Sequence, residues 1–306
     1  MNEKLTVSTF ELFKMFPDAE SARVYLEARL WPEGAKCPVC GLGNRITIRK
    51  GGYYRCNQCK EDFTVRTGTI FERSHVPLNK WIYAMYLMVT SRKGISSMQL
   101  SKEIGITQKS AWFVLQRLRE ACDGNPDMLE GIIEVDETYI GGKEDNKHAD
   151  KKIASYGGYG KSIVIGMRQR SNGRTIAKKI PSANSHHLQN SIMDNVKEGS
   201  TLHTDEHRGY SGIGKESFTH ETINHSEGQY SQGNVTTNGI ESVWALLKRG
   251  LHGVYHHASA KHLNRYVNEF TFRLNEGNVK IHTMDRLNSL IKSSVGNRIT
   301  YKELIK

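Results

Sequence analysis

What this sequence lacks narrows it first. No apolar stretch approaches the ~20 residues a bilayer-spanning helix needs; the longest, Trp81–Val89, runs for nine. Met1–Lys14 is mixed polar, with no continuous apolar core ahead of a small-residue cleavage site, so a secretory signal is not expected there. Cysteine is scarce, at five in 306 residues, which argues against a disulfide-stapled secreted scaffold and for an intracellular, reducing setting. Acid is short as well: 32 Asp and Glu stand against 43 Lys and Arg, giving +11 at neutral pH and a pI near 9.3. That imbalance favours a polyanionic partner, nucleic acid foremost, over an acid-rich protein surface. The rest of the composition, 37% hydrophobic and 25% charged, is that of a globular chain long enough for two or three domains.

The few cysteines are informative. Four of them form two pairs, Cys37-Pro38-Val39-Cys40 and Cys56-Asn57-Gln58-Cys59, with 15 residues between. Each pair on a tight turn aims two thiolates at one point, and four thiolates complete the tetrahedral shell of a closed structural Zn²⁺ site. A redox dithiol is the competing reading, less suited to two pairs in one small unit. Strands are expected at 45–49, 53–55 and 63–65, as in a zinc ribbon, and Arg45, Arg49, Lys50, Arg55, Lys60 and Arg66 could grip phosphates. Cys122 reads as a buried thiol.

Ahead of this unit, residues 9–31 look helical, ended by Pro32 and Gly34. Behind it, 78–90 is an apolar, aromatic helix with the pattern of core. Residues 96–104 form an amphipathic segment broken by Gly105, and Thr107 caps a second helix running to Arg119. This is the pattern of a helix-turn-helix. Gln108, Lys109 and Ser110 stand at the start of its second helix, where base edges are read. The polar, turn-rich stretch 123–127 marks a domain boundary.

The chemistry concentrates beyond it. Residues 131–142 read as an apolar strand with Asp136 at its centre, a position where a carboxylate needs cations or hydrogen bonds to compensate it. A charged, Gly-rich loop over 143–160 follows, then a hairpin of 161–169 and 174–180 turned at Asn172-Gly173, and a helix over 184–197. A second short strand ends in Asp205, and a further strand is expected at 220–224. A helix opening at Asn238-Gly239-Ile240-Glu241 comes next. Glu241 and Lys248, seven residues apart, share one side of it, with Asn238 one turn earlier, while Ile240, Val243, Trp244, Leu247 and Leu251 fill the core stripe. Another helix over 260–275 covers the core, and 284–291 forms a last one. The many histidines show no zinc-finger spacing with cysteines.

Four stretches together, residues 135–143, 203–210, 237–250 and 269–275, resemble the DDE transposases. The likeness is strongest to bacterial insertion-sequence enzymes with an N-terminal zinc ribbon and an ISXO-type transposase domain, relatives of the Merlin group of eukaryotic elements. It covers nearly the whole chain up to about residue 278. The resemblance implies an α/β, RNase H-like catalytic core over 128–277, preceded by a helical segment (1–34), a zinc ribbon (35–72) and a helix-turn-helix domain (73–122), with a tail over 278–306. It implies two Mg²⁺ or Mn²⁺ ions on Asp136, Asp205 and a third residue, Glu241 or Asn238, beside the structural Zn²⁺ on Cys37, Cys40, Cys56 and Cys59. Lys248 joins the catalytic set, and Lys143, His207, Arg208 and Arg249 are implied DNA contacts. The implied activity is cleavage at terminal inverted repeats and joining of the 3′-OH ends to target DNA, by at least a dimer, on double-stranded DNA of the cytoplasmic nucleoid. A structure-specific nuclease of similar fold, or a DNA-binding regulator with an inactive core, are the rival readings.

Overall fold

The computed structural model describes residues 5–124, 127–142, 160–213, 217–223, 234–277 and 280–306. The chain divides into two compact units, residues 125–275 and the two flanking stretches 1–124 and 276–306 taken together.

In the flanking unit, the expected helix over 9–31 is two helices, α1 (Thr9–Met15) and α2 (Ala19–Leu30). Pro17 supplies no N–H for a continuing helix, and Asp18 caps the new one by accepting from the Ser21 N–H at 2.8 Å. A three-stranded antiparallel ribbon follows, β1 (Ile46–Ile48), β2 (Tyr54–Cys56) and β3 (Asp62–Phe63). Its small core joins Tyr54 and Phe63 to Trp31 and the cysteines. Helices α3 (Leu78–Thr90), α4 (Ser97–Ile104) and α5 (Gln108–Ala121) come next. Gly105 ends α4 at φ 59°, a backbone that glycine takes without strain, and the Thr107 hydroxyl caps α5 from the other side of the turn. The segment expected as a tail carries α9 (Thr283–Lys292), which packs on α2 and α3, and a short closing helix, α10 (Tyr301–Ile305).

The second unit is built on β4 (Ile132–Ile140), β5 (Ser162–Gln169), β6 (Thr175–Ile180), β7 (Thr201–Asp205) and β8 (Thr219–Ile223). In space they run β6-β5-β4-β7-β8, antiparallel on the first side of β4 and parallel on the other. This mixed sheet, with helices on both faces, is an RNase H-like core. Alternation along each strand splits the burial between two layers. Ile133, Val135, Ile165, Met167 and Leu202 meet Leu188 and Ile192 of α6 (Ser185–Met193) on one face. Val164 and Ala177 meet α7 (Asn238–Gly250) and α8 (Leu263–Glu276) on the other. Helix α6 stops at Met193, short of the expected 197, because Val196 leaves it to bridge Leu129. Helix α7 runs on into a π-helical turn, Leu251–Tyr255.

Candidate active site and metal centre

Strand β4 carries three acids, and the two-residue period of a strand decides where each one goes. Glu134 and Asp136 face α7; Glu137 faces the α6 layer. Glu134 is 2% exposed and spends its charge on helix geometry. Its Oε2 accepts the Ile240 N–H at 2.9 Å, one of the N-terminal donors of α7 that lack an intrahelical partner, and Arg170 Nε lies 3.6 Å from Oε1. The start of α7 is thereby pinned to β4. Gly239 leaves room for this contact, since a Cβ on it would lie 3.0 Å from the Glu134 carboxyl carbon.

Asp136 sits one pleat further along the same face. Its Oδ2 accepts from the Trp244 indole Nε1–H at 2.9 Å and its Oδ1 from the Glu137 N–H at 2.8 Å. Burial, then the charges of Glu137 and Asp205, push this carboxyl up to about 7. The parallel register pairs Ile132 with Thr201 and Glu134 with His203. Two residues beyond the last pair, strand alternation puts Asp136 and Asp205, the last residue of β7, on the same face of the sheet, near enough for the Asp205 charge to act on Asp136. Asp205 is held by the His207 N–H, which donates to its Oδ1 at 3.0 Å.

Glu241 and Lys248 are exposed on α7, on the Trp244 side of its buried stripe. The Thr237 hydroxyl donates to Glu241 Oε1 at 3.1 Å. Asn238 is exposed in the first turn, and its N–H donates to the Thr236 hydroxyl. The donor set around Asp136, hard carboxylate oxygens near enough that the charges of Glu137 and Asp205 act on it, suits a hard divalent cation. Among the described residues, however, only the four cysteines bring three or more ligand atoms within 4.8 Å of one another.

The structure assigns His207 an intramolecular role that sequence did not reveal. Its Nδ1 accepts the Gly209 N–H at 3.1 Å, so Nε2 carries the proton, and Nε2 lies 3.8 Å from Glu137 Oε1. The fully buried Tyr210 donates its hydroxyl to Glu137 Oε2 at 2.6 Å. Burial, with Glu137 alongside, holds the Tyr210 phenol protonated well above its ordinary range. Trp244, Glu134, Glu137 and Tyr210 are thus site residues that sequence reading missed. Trp244 was visible only as one member of a core stripe, and Glu137 only as the neighbour of Asp136. Arg208 is exposed in the turn after Asp205, and Arg249 is exposed on α7 with Nε donating to the Ala245 carbonyl at 3.1 Å. Lys143 lies outside the described residues.

In the other unit, Gln108, Lys109 and Ser110 lie at the start of α5, and each already has a partner. Gln108 Nε2 donates to the Ser97 hydroxyl at 2.8 Å, Lys109 Nζ stands 4.9 Å from the Tyr301 ring centroid, and Ser110 Oγ is 2.9 Å from the Thr107 hydroxyl.

The four cysteines converge as their spacing predicts. Cys37 and Cys59 place their sulfurs 3.5 Å apart, Cys40 and Cys56 3.6 Å. Tetrahedral Zn–S bonds of ~2.3 Å set sulfurs about 3.8 Å apart, so the cluster fits a structural zinc with little adjustment. Backbone N–H groups of Cys59 and Gln58 draw the Cys56 thiol down to about 7, toward the thiolate a metal needs.

Comparison with known proteins bears on both units of the chain. Residues 128–275 match the ISXO2-like transposase domain, and residues 17–62 match the transposase zinc-ribbon domain. A relative from Halobacterium salinarum, described as an uncharacterized protein in transposable element ISH50, is 30% identical over 275 residues, 85% of this chain and 92% of its own length. The chain belongs to the ISXO2-like transposase family and carries that family's domain behind a transposase zinc ribbon.

Proposed function

We propose that the chain is a metal-dependent DNA transposase that cuts at the inverted repeats ending its element and joins the freed 3′-OH ends to target DNA. One observation carries the reading: Asp136 and Asp205 end up on one face of adjoining parallel strands although 68 residues separate them in sequence. Bound Mg²⁺ or Mn²⁺ ions would activate the attacking oxygen and neutralise charge on the phosphorus and the leaving oxygen. Asp136, Asp205 and Glu241 are the residues to hold them. Glu241 is favoured over Asn238 because it lies about 60° around α7 from Trp244, the residue bonded to Asp136, whereas Asn238 lies about 120° away.

The chain's own groups have separate tasks. Trp244 fixes the Asp136 carboxylate through Oδ2, while Oδ1 is held by the Glu137 N–H. Lys248, on the same side of α7 as Glu241, offers a point charge to a phosphate, with Arg249 and Arg208 as further contacts. His207 holds Asp205 through its N–H while its ring faces Glu137. DNA is gripped in addition by the basic zinc ribbon and by α5 acting as a recognition helix, for which Gln108, Lys109 and Ser110 must exchange their internal partners for DNA. Two copies of the chain at least assemble on paired element ends in the nucleoid.

The test is strand transfer with a 3′-OH duplex carrying the element end, a supercoiled plasmid and Mg²⁺ or Mn²⁺. Wild type is expected to give joined product, and Asp136→Asn none while remaining folded. Hydrolysis without joining would instead indicate a nuclease, and binding without any metal-dependent product a regulator.

A further inference from the structure

Between Glu241 and Glu269 the chain has no acidic residue, yet it holds Lys248, Arg249, Lys261, Arg265 and four histidines, His252, His256, His257 and His262. In the structure this tract is the body of α7, the π-helical turn that prolongs it, and the connection into α8. Two features of that connection are unfavourable by themselves. A π-helical turn is a rare geometry that persists mostly at functional sites. His256 then takes φ 57°, a left-handed backbone that strains any residue bearing a side chain. Of the 16 positive-φ positions among the described residues, glycine holds 13; His256 is one of three, with Lys60 and Arg73, that keep a side chain.

The turn is held from beneath. The Tyr255 hydroxyl donates to Glu269 Oε1 at 2.6 Å, and Arg273 Nε donates to the same oxygen at 3.0 Å. Glu269 is fully buried, and the Tyr255 ring packs edge-on to Tyr266 at 4.9 Å. Above this support His256 and His257 are exposed, as are His252, Lys248 and Lys261. Neither His256 nor His257 uses its imidazole in a hydrogen bond among the described residues. The histidines do not gather as a metal site either, since the cysteines form the one such group among the described residues.

We propose that the His256–His257 turn is a phosphate-contact site whose imidazole N–H groups donate to the phosphodiester backbone of duplex DNA. It extends the cationic side of α7 that begins at Lys248, and it rests on the DNA reading above. Strain is tolerated at His256 because the side chain must stand there, and the absence of carboxylates over the whole tract leaves nothing to repel phosphate.

Three variants of the full chain test this: His256→Gly, His257→Ala, and Lys261→Gln. Binding is measured by fluorescence anisotropy over a salt series, on one duplex with the element end and one with scrambled sequence. His256→Gly combined with His257→Ala is expected to bind both duplexes about tenfold more weakly. Lys261→Gln should lower the slope of log K against log salt by about 0.9. The thermal midpoint of His256→Gly is expected to equal or exceed wild type, because glycine relieves the backbone. Undiminished affinity of the double variant, a loss confined to one duplex, or a lowered midpoint for His256→Gly overturns the inference. If wild type itself binds neither duplex, the DNA reading fails; if wild type binds and the variants match it, only this inference does.

Discussion

The indole N–H of Trp244 donates to Oδ2 of Asp136 at 2.9 Å, tying a helix to a strand 108 residues away in sequence. The same indole packs over Gly166, the cross-strand partner of Asp136 on β5. A core aromatic thereby sets the direction of the acid at the centre of the candidate site. Trp244→Phe keeps most of the packing and removes the donor. The variant is expected to lose about 1–2 kcal/mol of stability and roughly tenfold or more in metal-dependent cleavage, read by thermal melting and by a cleavage assay on the same preparation.

Gly166→Ala attacks this arrangement from below. A Cβ there would lie 2.6 Å from the Trp244 Cζ2 and 2.9 Å from the Ile240 Cδ1, so the ring must move off Asp136. Destabilisation of about 1–3 kcal/mol is expected. Activity should fall further than in Trp244→Phe, and an unchanged cleavage rate would show that the indole does not aim the carboxylate.

The raised carboxyl of Asp136 gives a signed pH dependence. Its folded value, about 7, lies well above the ordinary carboxylate range. Folding therefore favours the protonated acid, and this stabilisation is complete below about pH 4 and lost as pH rises through about 7. The ceiling is roughly 4 kcal/mol at 1.36 kcal/mol per unit. In chelator, Asp136→Asn should flatten the fall in thermal midpoint between pH 4 and 7 seen in wild type, while Mg²⁺ or Mn²⁺ should raise the wild-type midpoint at pH 7.5 and leave that of Asp136→Asn unmoved.

Tyr210→Phe leaves the Oε2 of Glu137 without its 2.6 Å donor in a buried setting. A loss of about 1–3 kcal/mol is expected. Glu137→Gln, which can still pair with the hydroxyl, should lose less. Equal stability of Tyr210→Phe and wild type would mean that this bond adds nothing.

The ribbon core is small, four buried residues of which two are ligands. Its fold must lean on the metal. One zinc per chain is expected by elemental analysis, and Cys56→Ser should abolish it. A strong chelator should expose Trp31 and shift its fluorescence while the far-ultraviolet signal of the second unit persists.

Parts of this architecture were legible without coordinates because they are written in local spacing. Two Cys-x-x-Cys pairs admit few geometries, Asn172-Gly173 dictates a hairpin, and Gly105 followed by Thr107 dictates a turn and a cap. The expected helix over 9–31 divides in two because Pro17 cannot donate to a continuing helix and Asp18 caps a new one.

The sequence by itself determined the elements, the zinc ligands and the two strand-borne acids, since periods of 2 and 3.6 residues and the valence of a thiolate are local properties. It also required Asp136 and Glu137 to face opposite ways. Which acid would meet α7 and which would meet Tyr210 was decided only by tertiary packing. That choice depends on the register of β4 against β7 and on where α7 docks, and both come from burying surfaces that lie far apart along the chain.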